Sequence, residues 1–200
     1  MAYIHSTPLY GLVLAGGKST RMGRDKGIIN YHGIPQREYL YHLLSRVCDE
    51  VFLSLRSDQL QELKGEFKFI VDQDRYSGPY NGLLSAHHQF PKVAWLVLAC
   101  DLPLMDLEGL KHLVAHRNLS KTATAFALKE KPLPEPLAAI WEPDGLEQSE
   151  IQLNNGSSTS LRKYLINSSV ELVSPERKEI LLNANSKDEY AKVLAKLKSI

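Results

Sequence analysis

Apolar residues along the chain fall into short continuous runs, separated by stretches with a helical period. The runs predict strands over residues 10–15, 50–55, 68–71 and 93–99. The last, Val93-Ala94-Trp95-Leu96-Val97-Leu98-Ala99, is apolar at every position, as a strand covered on both faces should be. Between the runs, Leu40, Leu43, Leu44 and Val47 mark one face of a helix that starts near Pro35 or Gln36. A proline suits the first helical position because that N–H has no intrahelical partner. A second helix is expected after Pro79. A third follows Asp106, the expected N-cap, with Leu107, Leu110, Leu113 and Val114 on one stripe.

Strand and helix alternating over the first 120 residues predict a parallel sheet with helices on both faces. Such sheets bind ligands beyond the carboxyl ends of their strands. The most polar, irregular segments follow strand ends, at residues 16–26, 72–78 and 101–103. Downstream, residues 122–128 and 137–141 read as two strands whose connection, 129–136, holds three prolines. That hairpin is expected at a sheet edge or as a lid. Residues 154–160 form a loop into a helix carrying Leu161, Tyr164 and Leu165. Ser186 and Glu189 make a capping box for a last helix with Tyr190, Val193, Leu194 and Leu197 buried.

Composition narrows the function classes. The 200 residues carry 24 basic and 23 acidic side chains, a formal net charge of +1, which is unlike a protein that neutralises a nucleic acid over a wide surface. Cys48 and Cys100 stand alone among apolar neighbours, with no C-x-x-C and no secreted disulfide framework. No apolar run approaches the roughly 18 residues of a membrane span. The first nine residues lack the basic start and apolar core of a secretion signal, so a cytoplasmic location is expected. Histidines offer no metal site: His87 and His88 diverge by about 100° on a helix. His112 and His116 lack a third partner.

The charge that matters is local. Lys18, Arg21, Arg24 and Lys26 against Asp25 place a net +3 within nine residues, directly after Gly16 and Gly17 and around Gly23. Glycines let backbone N–H groups close on an anion, and the cations add charge. The loop is not a P-loop, which would need glycine at Leu12. Nor is it the dinucleotide fingerprint, which would need glycines at Lys18 and Arg21. A second polar landmark, Asp101, sits just past the all-apolar strand, where a carboxylate can reach a divalent cation between phosphates.

These residues carry a resemblance. Leu14-Ala15-Gly16-Gly17-Lys18-Ser19-Thr20-Arg21-Met22-Gly23-Arg24-Asp25-Lys26 is similar to the L-A-G-G-x-S-x-R-M-G-x-D-K signature of nucleotidyltransferases with a glycosyltransferase-A-like Rossmann fold. The R-M-G-x-D-K ending looks most like the molybdenum cofactor guanylyltransferases of the MobA type. Later landmarks follow in order over essentially the whole chain: Asp72 with Gly78-Pro79-Tyr80-Asn81-Gly82-Leu83, then Cys100-Asp101-Leu102-Pro103, Glu135-Pro136-Leu137, Ser160-Leu161-Arg162 and Asn183-Ala184-Asn185-Ser186. The resemblance implies a three-layer α/β/α fold with a mostly parallel Rossmann-like sheet, of the nucleotide-diphospho-sugar transferase type. It implies one nucleotidyltransferase domain over residues 1–200, with a nucleotide-binding half at about 8–120 and an acceptor half at about 121–200.

The implied reaction is Mg²⁺-dependent transfer of GMP from GTP to molybdopterin with release of pyrophosphate. Other proteins of cofactor biosynthesis and the recipient molybdoenzymes are the implied macromolecular partners, with neither nucleic acid nor a membrane. The resemblance places Leu14, Ala15, Gly16, Gly17 and Lys26 on the nucleotide, with Ser54, Asp72, Gly78, Pro79 and Asp101 beside them. It gives Arg21, Lys26 and Asp101 the catalytic work and Asp101 the metal. Pro136, Arg162, Asn183 and Asn185 fall to the acceptor. Ser54 stands where guanylyltransferases often have Asn, which keeps a hydrogen-bonding group without the paired donor and acceptor of an amide. The alternatives are a molybdopterin cytidylyltransferase, another small-substrate nucleotidyltransferase, or a non-catalytic nucleotide-binding regulatory module of the same fold.

Overall fold

The structure is a computed structural model that describes residues 7–17, 26–63, 65–156 and 158–197. Among these, seven strands form one sheet: β1 (Leu9–Leu14), β2 (Glu50–Leu55), β3 (Phe69–Val71), β4 (Ala94–Ala99), β5 (Ala123–Phe126), β6 (Ala138–Trp141) and β7 (Val170–Val173). Six α-helices cover it: α1 (Gln36–Leu44), α2 (Pro79–Gln89), α3 (Leu107–Ala115), α4 (Pro143–Asn154), α5 (Leu161–Ile166) and α6 (Lys187–Leu197). The strand order is β3-β2-β1-β4-β6-β5-β7. Four of the six neighbouring pairs are parallel, and β6 is antiparallel to both of its neighbours.

Side chains along the strands alternate between two cores, because successive residues of a strand point to opposite faces. Ala94, Leu96 and Leu98 of β4 join Leu40, Leu44, Leu110 and Leu113 of α1 and α3. Trp95 and Val97 join Leu83 and Leu84 of α2, Leu146 of α4 and Leu161 of α5. The expected three-layer α/β/α arrangement with a mostly parallel sheet is therefore what the chain adopts. Gly11 lets α1 approach closely, since a Cβ there would stand 3.0 Å from Leu44 Cβ.

Several elements differ from the sequence reading. The hairpin of β5 and β6 lies inside the sheet, not at its edge, with β6 between β4 and β5. Its three prolines sit in the connection and leave the ladder donors of both strands intact. The edge beyond it is β7, a four-residue strand that the apolar pattern does not announce. Helix α4 was also unforeseen; of its buried residues only Leu146 is a large apolar one, beside Gly145 and Ser149. Gly145 packs on the Thr122 carbonyl at a distance no Cβ would allow. Helix α1 ends at Leu44, so Val47 packs on the core from the turn beyond it, and Pro35 is the N-cap instead of the first helical residue. Pro79 does open α2, and Asp106 caps α3 by accepting the Gly109 N–H at 2.8 Å.

On the outer face of α2, Glu150 of α4 accepts hydrogen bonds from Tyr76 and from His88 Nε2, both at 2.7 Å. The neighbouring His87 is buried, and burial followed by repulsion from His88 pushes its pKa below the usual imidazole range, against Glu150 and Glu147. Burial likewise lowers His32, against its bond to the Pro103 carbonyl. The unfolded chain thus takes up protons at these two sites at a higher pH than the folded one, and stability is lost as pH falls below about 6.5. Replacing His87 with Gln should flatten this acid-side loss by up to the one-proton limit of about 1.4 kcal/mol per pH unit. Urea unfolding at a series of pH values from neutral downward measures it; an unchanged slope would contradict this account.

Candidate active site

The carboxyl ends of β1 to β4 open onto one cleft of about 520 Å³. It lies where the sheet changes direction: β2 and β3 run to one side of β1, and β4 lies on the other. The strand order reverses at that point, and ligands of such sheets sit in the crevice beyond the carboxyl ends of the strands there.

On the β2 side, Ser54 Oγ donates to Asp72 Oδ1 at 2.6 Å. Burial raises the Asp72 pKa, against the Ser54 hydrogen bond and the Arg56 charge. Gly82 in the first turn of α2 presses on this pair. A Cβ there would stand 2.2 Å from Ser54 Oγ and 2.8 Å from Leu14 Cδ2, so only glycine lets the helix seat on the strand ends. The connecting loop is held by α2 as well. Asn81 Oδ1 accepts the Tyr76 N–H, Asn81 Nδ2 donates to Asp74, and Ser85 Oγ accepts the Gln73 N–H. Gly78 enters the helix at φ 64°, a conformation glycine takes without strain.

On the β4 side, Lys26 Nζ lies 3.6 Å from Asp101 Oδ2 and donates to Asn185 Oδ1. Burial raises the Asp101 pKa, and Lys26 opposes that shift. The segment carrying Asn185 is itself pinned to β4's end, because the Ala184 N–H donates to the Asp101 carbonyl at 2.9 Å. Glu189 Oε2 then accepts the N–H groups of Asn185 and Ser186, and Ser186 Oγ accepts the Glu189 N–H, completing the expected capping box. Tyr31 packs tilted against Tyr190, and its pKa is pushed up to about 12 by burial and by Tyr190 and Asp101, so its hydroxyl stays neutral.

Leu14, Ala15, Gly16, Gly17 and Lys26 all line this cleft, and so do Ser54, Asp72, Gly78, Pro79 and Asp101. Arg21, with Lys18 and Arg24, lies outside the described residues. The four residues expected on the acceptor side are more scattered. Asn185 touches Lys26, and half-buried Asn183 is two residues earlier in the same segment. Arg162 Nη2 donates to Glu135 at 2.5 Å and its Nε donates to the Pro134 carbonyl, so it braces the β5–β6 connection. Pro136 is buried and its carbonyl accepts the Trp141 indole N–H; the adjacent Leu137 reaches the cleft. Glu135 feels Asp101 across the site: burial raises its pKa, Arg162 lowers it and Asp101 raises it.

Arg56, Asp74, Tyr76 and Asn81 also line the cleft and were not foreseen as site residues. Arg56 follows the end of β2, where the strand-end rule could have flagged it. Nothing in the sequence pattern marks Asp74 or Tyr76. A separate cavity of about 360 Å³ between α2, α4 and α5, near Tyr80, Ser149 and Lys163, contains none of these residues.

Among the described residues no three His, Cys, Asp or Glu gather into a metal cage. The lone Asp101 carboxylate still fits a hard divalent cation. Mg²⁺ is commonly held by one or two carboxylates, with substrate phosphate oxygens and water completing its shell.

Comparison with known proteins decides the family. Residues 11–171 match the model of the MobA-like NTP transferase domain. The chain belongs to that family. A molybdenum cofactor biosynthesis bifunctional protein of Synechocystis is 36% identical over 193 residues, covering 96% of this chain and 55% of the relative. The chain thus spans about half of that protein. A probable molybdenum cofactor guanylyltransferase of Nostoc is 29% identical over 187 residues, covering 92% of this chain and 89% of the relative. The crystal structure of molybdopterin-guanine dinucleotide biosynthesis protein A from Archaeoglobus fulgidus superposes with a TM-score of 0.76 at 22% identity, over 96% of this chain and 100% of that one. At that identity the likeness shows the fold alone. None of the described helices is long and apolar enough to cross a membrane.

The Gly82 contact yields a direct test. Gly82→Ala should destabilise the protein by about 1–3 kcal/mol, the usual range for overpacking. Gly17→Ala, whose Cβ would meet nothing within 4 Å, should stay within about 0.5 kcal/mol. Urea denaturation of both variants checks the contrast, and equal effects would show that α2 is not seated on Ser54 through this glycine.

Proposed function

We propose that the chain transfers GMP from GTP to molybdopterin and releases pyrophosphate, with Mg²⁺ as cofactor. The observation that carries this reading is the two-sided cleft: a Ser54–Asp72 pair faces a Lys26–Asp101 pair across the glycine loop after β1. The first pair suits a polar nucleoside, the second a metal-bound polyphosphate. The Nostoc relative's name, probable molybdenum cofactor guanylyltransferase, supports this reading, and the Synechocystis relative's name supports a place in molybdenum cofactor biosynthesis. Under this reading residues 1–200 work as one cytoplasmic nucleotidyltransferase domain. The other proteins of cofactor biosynthesis and the recipient molybdoenzymes are its partners.

A phosphate oxygen of molybdopterin, already ionised at neutral pH, attacks the α-phosphorus of GTP in line. The new P–O bond forms as the bond to the α,β-bridging oxygen breaks, and that oxygen leaves with its electron pair on pyrophosphate. Because the attacking group is an anion, the site works without a Ser, Cys or His nucleophile. The protein positions the reactants and neutralises charge. The Gly16 and Gly17 backbone and Lys26 face the triphosphate, the sequence resemblance assigns Arg21 to the same phosphates, and Lys26 offsets charge that grows on the leaving group. Asp101 would hold Mg²⁺, which when bound screens the phosphates as a Lewis acid. Lys26 carries three N–H donors, so it can meet phosphate oxygens beside or in place of Asn185 and Asp101 as substrate enters. Ser54, Asp72, Gly78 and Pro79 meet the nucleoside, whereas Asn183, Asn185, Arg162 and Pro136 belong to the acceptor side.

Asp101→Ala should lower pyrophosphate release from GTP and molybdopterin by at least about 10²-fold with the fold retained. Full activity in that variant would overturn the metal assignment. Thermal unfolding with GTP, CTP, ATP and UTP, each with Mg²⁺, reads the base. A ligand at 100 times its Kd stabilises by about 2.7 kcal/mol. Selective stabilisation by GTP is expected, selective stabilisation by CTP would make the chain a cytidylyltransferase, and equal shifts would remove the guanine assignment. GTP binding with no pyrophosphate release would indicate a regulatory module.

A further inference from the structure

The glycine loop is held from behind by the turn that follows β2. Gln59 Nε2 donates to the Ala15 carbonyl at 3.0 Å. Arg56 Nη1 donates to the Gly16 carbonyl at 2.6 Å. Both donors are themselves fixed. Gln59 is 2% exposed, and its Oε1 accepts the Arg56 N–H at 2.9 Å. The Arg56 guanidinium is forked onto Asp58, with Nε to Oδ1 at 2.9 Å and Nη2 to Oδ2 at 3.1 Å.

In a planar trans peptide the carbonyl of one residue and the N–H of the next point in opposite directions. Ala15 continues the β1 ladder toward β2, its N–H on the Ser54 carbonyl at 3.0 Å and its own carbonyl on Gln59. The Gly16 N–H therefore points away from β2, toward the β4 side where Asp101 and Lys26 stand. In a continuing strand the Gly16 carbonyl would share that direction. Here Arg56 draws it back, so the Gly17 N–H also turns away from Arg56. Two successive donors then face the same way.

We propose that Arg56 and Gln59 are positioning residues of the glycine loop, which hold the Ala15 and Gly16 carbonyls so that the Gly16 and Gly17 N–H groups aim at the phosphates. The proposal rests on the reading of the cleft as a triphosphate site, but not on which base is bound. Preorganised donors avoid reorientation when charge arrives, so their alignment governs polyphosphate affinity more than nucleoside affinity. Gln59 is the cleaner probe, being uncharged and absent from the cleft lining.

The test compares Gln59→Met, Arg56→Met and Arg56→Lys with the natural chain. Calorimetry measures Mg²⁺-tripolyphosphate, Mg²⁺-GTP and guanosine, alongside the unfolding midpoint without ligand. Gln59→Met should weaken tripolyphosphate and GTP by about ten-fold or more and leave guanosine within about two-fold, as expected for misplaced donors, and Arg56→Met should weaken tripolyphosphate and GTP at least as much. Arg56→Lys, still able to donate to the Gly16 carbonyl, should recover part of the loss. If Gln59→Met fails to fold, Gln59→Asn, uncharged and one methylene shorter, withdraws the donor from the Ala15 carbonyl. Unchanged tripolyphosphate affinity, or guanosine weakened in proportion by the Gln59 variant, would overturn the proposal, as would a natural chain that does not bind tripolyphosphate. Tight tripolyphosphate binding with preference for another base would instead refute the GTP reading and leave this inference standing.

Discussion

The parallel pairing of β1 with β2 on one side and β4 on the other is the constraint on which the site depends. It brings the carboxyl ends of those strands to one edge, with Leu14 beside Ser54 and Ala99. Ser54 lies in β2, whereas Asp72 and Asp101 follow strands at places where the backbone leaves the ladder. These side chains converge because their strands are in register. A slip of one residue in any of the three would turn its site residue to the other face of the sheet. The apolar layers above and below make such a slip costly, since each strand's alternate residues are committed to different cores.

Around that edge the two sides of the cleft are built by different means. The β2 side is rigid and local: a hydroxyl, a carboxylate and a helix seated through Gly82. The β4 side is long-range, joining Lys26, Asp101 and Asn185, whose last two members are 84 positions apart in sequence. A lysine drawn between a carboxylate and an amide is poised without being locked, since both partners can be exchanged for phosphate oxygens. The glycine loop lies between the two sides, its carbonyls held by Arg56 and Gln59. This division suits a reaction in which the nucleoside stays fixed while charge redistributes along the phosphates.

The second half of the chain is built into the same sheet. Its hairpin enters the sheet interior through β6, and Trp141 packs there while its N–H reaches the Pro136 carbonyl. The three prolines stiffen the connection that Arg162 braces through Glu135 and the Pro134 carbonyl. An edge position would have left that connection far from the end of β4. The interior position instead brings Glu135 within electrostatic range of Asp101.

By itself the sequence determined the elements whose cause is local. Continuous apolar runs marked β1 to β4, Pro79 and Asp106 marked the starts of α2 and α3, and Ser186 with Glu189 marked the last helix. It also determined the glycine loop and the aspartates past the strand ends, because a strand followed by a turn in a parallel sheet has one place for its polar residues. Tertiary structure decided what depends on distant partners. β7 is short, and α4 buries Leu146 beside Gly145 and Ser149, so both derive their identity from what they pack against. The hairpin's place in the sheet follows from β4 and β7 flanking it, which no spacing encodes. Arg56 and Gln59 look like ordinary polar turn residues until the fold sets their side chains behind the Ala15 and Gly16 carbonyls. A hydrogen bond spanning 40 positions or more is a property of the packed chain, and the orientation of the Ala15 and Gly16 carbonyls is such a property.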